Sequence, residues 1–288
     1  MSLKIARYSF EGREWLGSVS DDGRTVSPFS PADERGDLRG VIASMTAGAT
    51  PTTNGPAIAL DSVKLLAPIR RPHRNVWCVG RNYKAHAQEL SASVFKDNNK
   101  DVAAWPIVFT KVPECVVGPF DDVDLAADVT AQVDYEAEIA VVIGTGGKNI
   151  ARADAMKHVF GYTVVNDVTA RDVQMRHQQW DMGKSFDSFC PMGPWIVTAD
   201  SIDIDKSGVK CWVNGELRQD GMVADLIFDI PRLIETISTG ITLYPGDVIA
   251  TGTPAGVGLG MTPPTFLKSG DVVRIEVEGI GSISNRFV

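Results

Sequence analysis

Residues 133–144, VDYEAEIAVVIG, restrict the fold more than any other stretch of this chain. In an extended strand residues i and i+2 share a face, so Glu136 and Glu138 point the same way. From Ile139 to Ile143 both faces are apolar, the pattern of an interior strand rather than one washed by solvent on one side. Two like charges at the mouth of such a strand raise each other's pKa, and burial raises them further. They must share a proton, take Arg or Lys partners, or bind a cation. Only oxygen ligands are on offer, which favours magnesium or manganese, with calcium a third hard cation of the same preference. The competing reading is a solvated strand end, which an E-x-E pair also suits.

Composition narrows the partners. The 288 residues carry a net charge of −8, from 28 basic and 36 acidic side chains, with no cluster of Lys or Arg. Nucleic acid and an anionic membrane surface are therefore not expected as partners. The first residues, MSLKIARYSFEGREW, hold no apolar core of signal-peptide length, and no later run approaches the ~20 apolar residues of a membrane span. The expected location is the cytoplasm. Cys78, Cys115, Cys190 and Cys211 are scattered, each in or beside an apolar run, without a CxxC pair. Buried reduced thiols follow, not a zinc site or a disulfide framework.

Along the chain, residues 1–70 read as a small N-terminal β-containing domain. Three strands (KIARYSF, EWLGSVS, RTVSPF) precede a helix at 38–46 and a turn-rich GATPTTNGP. Residues 71–288 form the main domain, strand-rich with few helices, so the fold class is α+β. Its predicted pieces are a strand at 75–79, a helix through NYKAHAQEL, a polar stretch at 91–101 that suits a closing lid, and WPIVFTKVP. The E-x-E strand follows, then a helix at 153–158, the strand GYTVVN ending at Asp167, and a helical pattern from Val168 through TARDVQMRHQQW. PWIVTA and VKCWVN are strands, the second closed by an NGE hairpin turn. A helix at 230–238 and the strands PGDVIATG, DVVRIEVEG and SISNRFV complete the chain.

Several groups carry chemistry. Asp167, Arg171, Gln174 and Gln178 fall at i, i+4, i+7 and i+11, one polar stripe on a helix, which is either a solvated face or a face aimed at a site. With Glu136 and Glu138, Asp167 brings three carboxylates, enough with water for an octahedral magnesium shell. His86 and Glu89, three apart on a helix, have the spacing of a general-base dyad, and also that of a surface pair. His73, His158 and His177 lie in linker or surface patterns. Lys184, in the loop-like DMGKSFDSFCPMGP, is either an oxyanion stabiliser or a surface lysine; GKS is not a phosphate loop, because Gln178 stands where that motif needs glycine. Neither a dinucleotide fingerprint nor a G-x-S-x-G elbow is present.

VGRNYKAHAQE, PIVFTK, VDYEAEIAVVIG, GYTVVNDVTARDVQ, GKSFDSFCPMGP and PGDVIATGTPAGVG, in this order across residues 75–288, resemble the fumarylacetoacetate hydrolase family. The resemblance implies a mixed β-sandwich roll, a homodimer, and a metal held by Glu136, Glu138 and Asp167. It implies a His86–Glu89 dyad that activates water, Lys184 as enolate stabiliser, and Arg81, Tyr83, Arg171, Gln174, Gln178 and Thr253 as substrate contacts. The founding hydrolase carries an extra metal-binding aspartate ahead of its histidine, whereas this chain has no acidic residue between Trp77 and His86. That departure, and the short N-terminal unit, match the compact acylpyruvase, fumarylpyruvate hydrolase and decarboxylase/isomerase members. The expected activity is therefore hydrolysis of a C–C bond in a small anionic 1,3-dicarbonyl acid such as an acylpyruvate, through a metal-stabilised enolate leaving group. Decarboxylation or isomerisation of β-keto or hydroxymuconate-type diacids, as in aromatic catabolism, is the first alternative. A non-catalytic metal-dependent keto-acid binder is the second.

Overall fold

A computed structural model of the protein describes residues 3–30, 38–93, 104–176 and 179–288. The predicted lid falls mostly outside them, as do His177 and Gln178; residues 91–93 close the helix Lys84–Ser93.

The strand Ala137–Ile143 is the axis of the molecule. It pairs antiparallel with Val159–Asn166 on one side and with Val248–Ala250 on the other, and all seven of its residues are buried. Outward from it the sheet runs one way through Cys190–Thr198 to Lys4–Phe10, Arg13–Val19 and Thr25–Ser30. The other way it runs through Val248–Ala250 to Val76–Gly80 and Ile107–Lys111. A second sheet, in the order Glu216–Met222, Gly208–Val213, Val272–Val277, Gly281–Arg286, packs on one face. The predicted NGE hairpin joins its first two chain members, with Asn214 and Gly215 both at positive φ (52° and 83°), as a tight two-residue turn requires. The fold is thus β-rich α+β with mixed sheets, as the sequence implies.

Side-chain alternation along the central strand distributes its residues between two cores. Ile139, Val141 and Ile143 enter the cluster shared with Val209, Ile275 and Ile283 of the second sheet. Ala140 and Val142 enter the opposite cluster, with Cys78, Phe109, Cys190, Met192 and Ile196. Glu136 and Glu138 extend this even-numbered row, so the carboxylates emerge where the second apolar core ends. All four cysteines are free and buried. Among the described residues no helix is long and apolar enough to cross a membrane.

Three local expectations are corrected. Glu136 precedes the strand rather than lying in it: Val133–Asp134 pairs separately with Thr169–Ala170, and the main ladder starts at Ala137. That same pairing delays the predicted helix, which begins at Arg171, not Val168, and whose described part ends at Arg176. Asp167 therefore sits at a strand end and not on the helix with Arg171 and Gln174. Lys184 closes a short helix, Asp181–Lys184, where a loop was expected.

The N-terminal strands keep an apolar cluster of their own around Tyr8, Val19, Val26 and Leu65. Lys4–Phe10 nevertheless continues the main sheet directly, Ile5 opposite Ile196, and Ile5 itself packs into the larger core. Ile5→Ala is expected to lower stability by about 2–5 kcal/mol. Because the seam is hydrogen-bonded, the loss should appear as one earlier unfolding transition, coincident by circular dichroism and tryptophan fluorescence in a denaturant titration.

Candidate active site

The two sheet pairings just described place three carboxylates together. Asn166 accepts the Glu136 N–H through its side chain at 3.0 Å, and the Asp167 N–H donates to the Glu136 carbonyl at 2.9 Å, so the two chain segments are tied at the site. The ligand-capable oxygens of Glu136, Glu138 and Asp167 lie within 4.8 Å of one another, all three residues buried. The third tie comes from the Thr251–Gly256 segment. Gly252, at φ 108°, donates its N–H to Glu138 at 2.8 Å, and a Cβ there would come within 2.7 Å of Asn82, so only glycine serves.

Buried carboxylates need counter-charge, and three cations supply it. Lys184 Nζ bridges Glu136 and Asp167 at 2.8 and 2.7 Å, and Lys111 Nζ reaches Asp167 from behind at 2.7 Å. Arg171 spans Glu136, at 2.7 Å, and Asp134, at 2.8 Å, and also donates to Gln174 at 3.2 Å. Burial would raise the Glu136 carboxyl, but Lys184 and Arg171 outweigh it and hold the group down at about 2. Glu138 is the contrast. Burial, then Asp167 and Glu136 beside it, push its carboxyl well up, and its one hydrogen bond among the described residues is from Gly252. Four carboxyl groups face three cations in this cluster, and Glu138 is the one that none of those cations pairs. An all-oxygen donor set with an uncompensated buried carboxylate fits a hard divalent cation.

On the opposite wall, His86 Nδ1 lies 3.2 Å from Glu89 Oε2, and Glu89 is anchored by the Gly256 N–H at 3.1 Å. His86 is 2% exposed, so the pair is not a surface salt bridge. One cavity is lined by Arg81, His86, Glu136, Glu138, Arg171, Gln174, Lys184 and Thr253. The polar stripe of the sequence is therefore aimed inward as far as Gln174. Arg81 adopts φ 56°, an unusual conformation for a non-glycine residue, and donates to the Ala87 carbonyl at 3.3 Å. Tyr83 lies outside the lining: its backbone bridges Leu226 and its ring packs beside Gly221.

A match to the model of the fumarylacetoacetate (FAA) hydrolase C-terminal domain spans residues 75–288. The chain belongs to the fumarylacetoacetate hydrolase family. Among family members, oxaloacetate tautomerase YisK of Bacillus subtilis (strain 168) is 52% identical over 230 residues, 80% of this chain and 74% of that one. The fumarylacetoacetate hydrolase of the psychrophilic Exiguobacterium antarcticum superposes with a TM-score of 0.87 at 43% identity, covering 99% of both chains. A 2-hydroxyhepta-2,4-diene-1,7-dioate isomerase from Mycobacterium marinum gives 0.79 at 33%, covering 99% of this chain and 98% of that one. The relatives are enzymes of more than one kind, so family membership does not by itself select hydrolysis.

Sequence reasoning missed Asp134, Lys111 and Gln219. Asp134 binds Arg171 and also accepts the N–H groups of Gly258 and Leu259 at 2.7 and 2.9 Å, bracing the loop behind Glu89. Its signal was present: it stands two before Glu136, making the run D-x-E-x-E. Lys111 ends the apolar strand IVFTK, and a fully buried lysine there demands an anion. Gln219 left no such signal.

Glu138→Gln is expected to raise the melting temperature of the chelator-treated protein at pH 7 by at least ~2 °C, by removing a buried repelled carboxylate. The sign follows from the raised pKa: the folded state is penalised above the ordinary value of 4.5 and not below it. The gain should vanish near pH 4. A divalent cation such as magnesium or manganese is expected to raise the wild-type melting temperature, and the same variant should lose that rise, as calorimetry would record.

Proposed function

We propose that this protein is a divalent-metal-dependent tautomerase that interconverts the keto and enol forms of oxaloacetate. The observation that carries the reading is an acid and a base in one buried cavity. Lys184, a buried ammonium on Glu136 and Asp167, is the acid; His86, held through Nδ1 by Glu89, is the base. The 52% identity to a Bacillus oxaloacetate tautomerase supports it.

Glu136, Glu138 and Asp167 would hold magnesium or manganese, which when bound supplies Lewis-acid polarisation of a 2-keto acid and offsets the charge of its carboxylate. Arg171, oriented by Asp134 and Gln174, offers a guanidinium for a substrate carboxylate, and Arg81 lines the same space. With Nδ1 engaged, His86 Nε2 takes the proton from C3, and Glu89 stabilises the imidazolium that forms. Lys184 donates to the oxygen that gains charge as the enol forms. In the return direction His86 gives the proton back to carbon. Burial excludes bulk water, which keeps the β-keto acid from side reactions. Tautomerisation needs only one acid and one base, whereas hydrolysis also needs a water aligned on the carbonyl.

One observation favours a second reading. The Glu89–His86 arrangement also suits activation of water, which would make the protein an acylpyruvate hydrolase, or with the same enolate chemistry a decarboxylase. In either case we place the reaction in the cytoplasm, on a small anionic keto acid, within a homodimer.

The test follows the decay of enol-oxaloacetate absorbance in magnesium buffer, with and without chelator, beside an acylpyruvate assayed for pyruvate release. Chelator-sensitive acceleration of enol decay is expected. His86→Asn should lower kcat by about 10²–10⁴-fold while the metal-induced rise in melting temperature is kept. Pyruvate release from the acylpyruvate without any effect on the enol would replace the tautomerase reading with the hydrolase.

A further inference from the structure

Gln219 lies on Glu216–Met222, an edge strand of the second sheet, outside the segments that supply the acid, the base and the carboxylates. It is completely buried and reaches the site from behind. Its Oε1 accepts the Ala137 N–H at 3.0 Å, and its Nε2 donates to the Pro254 carbonyl and to Thr253 Oγ1, both at 2.7 Å. An amide can usually be placed either way round, but here the backbone decides. The Ala137 N–H can only donate and the Pro254 carbonyl can only accept, so oxygen faces the carboxylate strand and nitrogen faces Thr253. Thr253 Oγ1 must then be an acceptor in that bond, which leaves the hydroxyl's single proton for another partner.

Thr253 is 2% exposed and lines the cavity with Glu138, His86 and Lys184. Among the described residues its hydroxyl donates to no acceptor. A buried donor without an acceptor is costly, and the cavity is the space left to supply one. We propose that Gln219 is a positioning residue that sets Thr253 as an obligate hydrogen-bond donor to an anionic oxygen of the substrate. The inference rests on the keto-acid reading above and deepens it: the position recognises a carboxylate or enolate oxygen and rejects a substrate that presents N–H or O–H there. Gln219 also ties Thr253 to Ala137, so the donor is held in register with the Glu136 and Glu138 carboxylates.

The experiment is calorimetric titration of oxalate, an unreactive dianion with the planar O–C–C–O edge of a 2-keto acid, into the full chain in magnesium buffer. KM and kcat for oxaloacetate are measured on the same proteins. Thr253→Val should weaken oxalate by roughly 10-fold to 100-fold, the range for a hydrogen bond to a charged group, while Thr253→Ser restores binding. Gln219→Glu places an acceptor where the amide donated and turns the Thr253 proton away from the cavity. It should weaken oxalate comparably, raise KM more than kcat falls, and add nothing further in the Thr253→Val background. Should Glu at this buried position prevent folding, Gln219→Met, which frees the hydroxyl to rotate, takes its place. Wild-type affinity in Thr253→Val, or effects at the two positions that simply multiply, would overturn the inference. Oxalate binding that follows this pattern in a protein inert towards oxaloacetate would overturn the tautomerase reading and leave the Thr253 assignment standing.

Discussion

The ion pairing of Lys184 and Arg171 with Glu136 governs the rest of this structure. Anionic side chains this deeply buried are tolerated only with matched charge and hydrogen bonds, because stripping water from each costs several kcal/mol. The chain satisfies that demand from distant segments: Lys111 from one strand, Arg171 and Lys184 from two short helices, Gly252 from a backbone turn. Each of these elements is held where the charge balance needs it. The balance is left one cation short at Glu138, and that shortfall is what a divalent ion would meet.

The sheet gives this cluster its precision. Strand pairing fixes register to a single residue, and a one-residue slip would turn Glu138 into the opposite core. Ala137 opposite Asn166 sets Glu136 against Asp167, and Val248–Ala250 on the other flank delivers the turn that carries Gly252 and Thr253. Polar groups then lock the layers. Asp134 joins Arg171 to the backbone of Gly258 and Leu259, Glu89 takes the Gly256 N–H, and Gln219 ties the second sheet to both the central strand and Thr253. Lys184, His86 and the carboxylates belong to a connected hydrogen-bond network, so displacement of one wall is transmitted to the others. Such preorganisation suits the small-acid chemistry proposed above, since a substrate with few atoms offers little binding energy to order the site itself.

The same network separates groups that line the cavity from those that act through others. His86, Lys184, Glu136 and Glu138 line the cavity, Asp167 meets Lys184 and Lys111 beside it, and Glu89, Asp134 and Lys111 set orientation or charge from outside the lining. Under the proposed keto-acid function, proton transfer beside a chelated substrate is the step that tautomerisation, decarboxylation and C–C cleavage would share.

Much of this was legible along the chain. The period-two run of the central strand, the helix at 38–46, the NGE hairpin and the E-x-E pair are local patterns, and local backbone and hydrophobic periodicity express them directly. His86–Glu89 was legible for the same reason, because three residues apart on a helix is a contact that sequence spacing predicts. The helix expected from Val168 failed because Thr169–Ala170 pairs with Val133–Asp134, a partner more than thirty residues away whose hydrogen bonds override helical propensity. Tertiary structure alone decided that Lys111 stands behind Asp167, that Asp134 braces the loop beyond Glu89, and that Gln219 addresses Thr253. These contacts join segments 34 to 124 positions apart, 56 in the case of Lys111. No local pattern encodes them; the need to satisfy every buried charge and polar group brings such distant partners together.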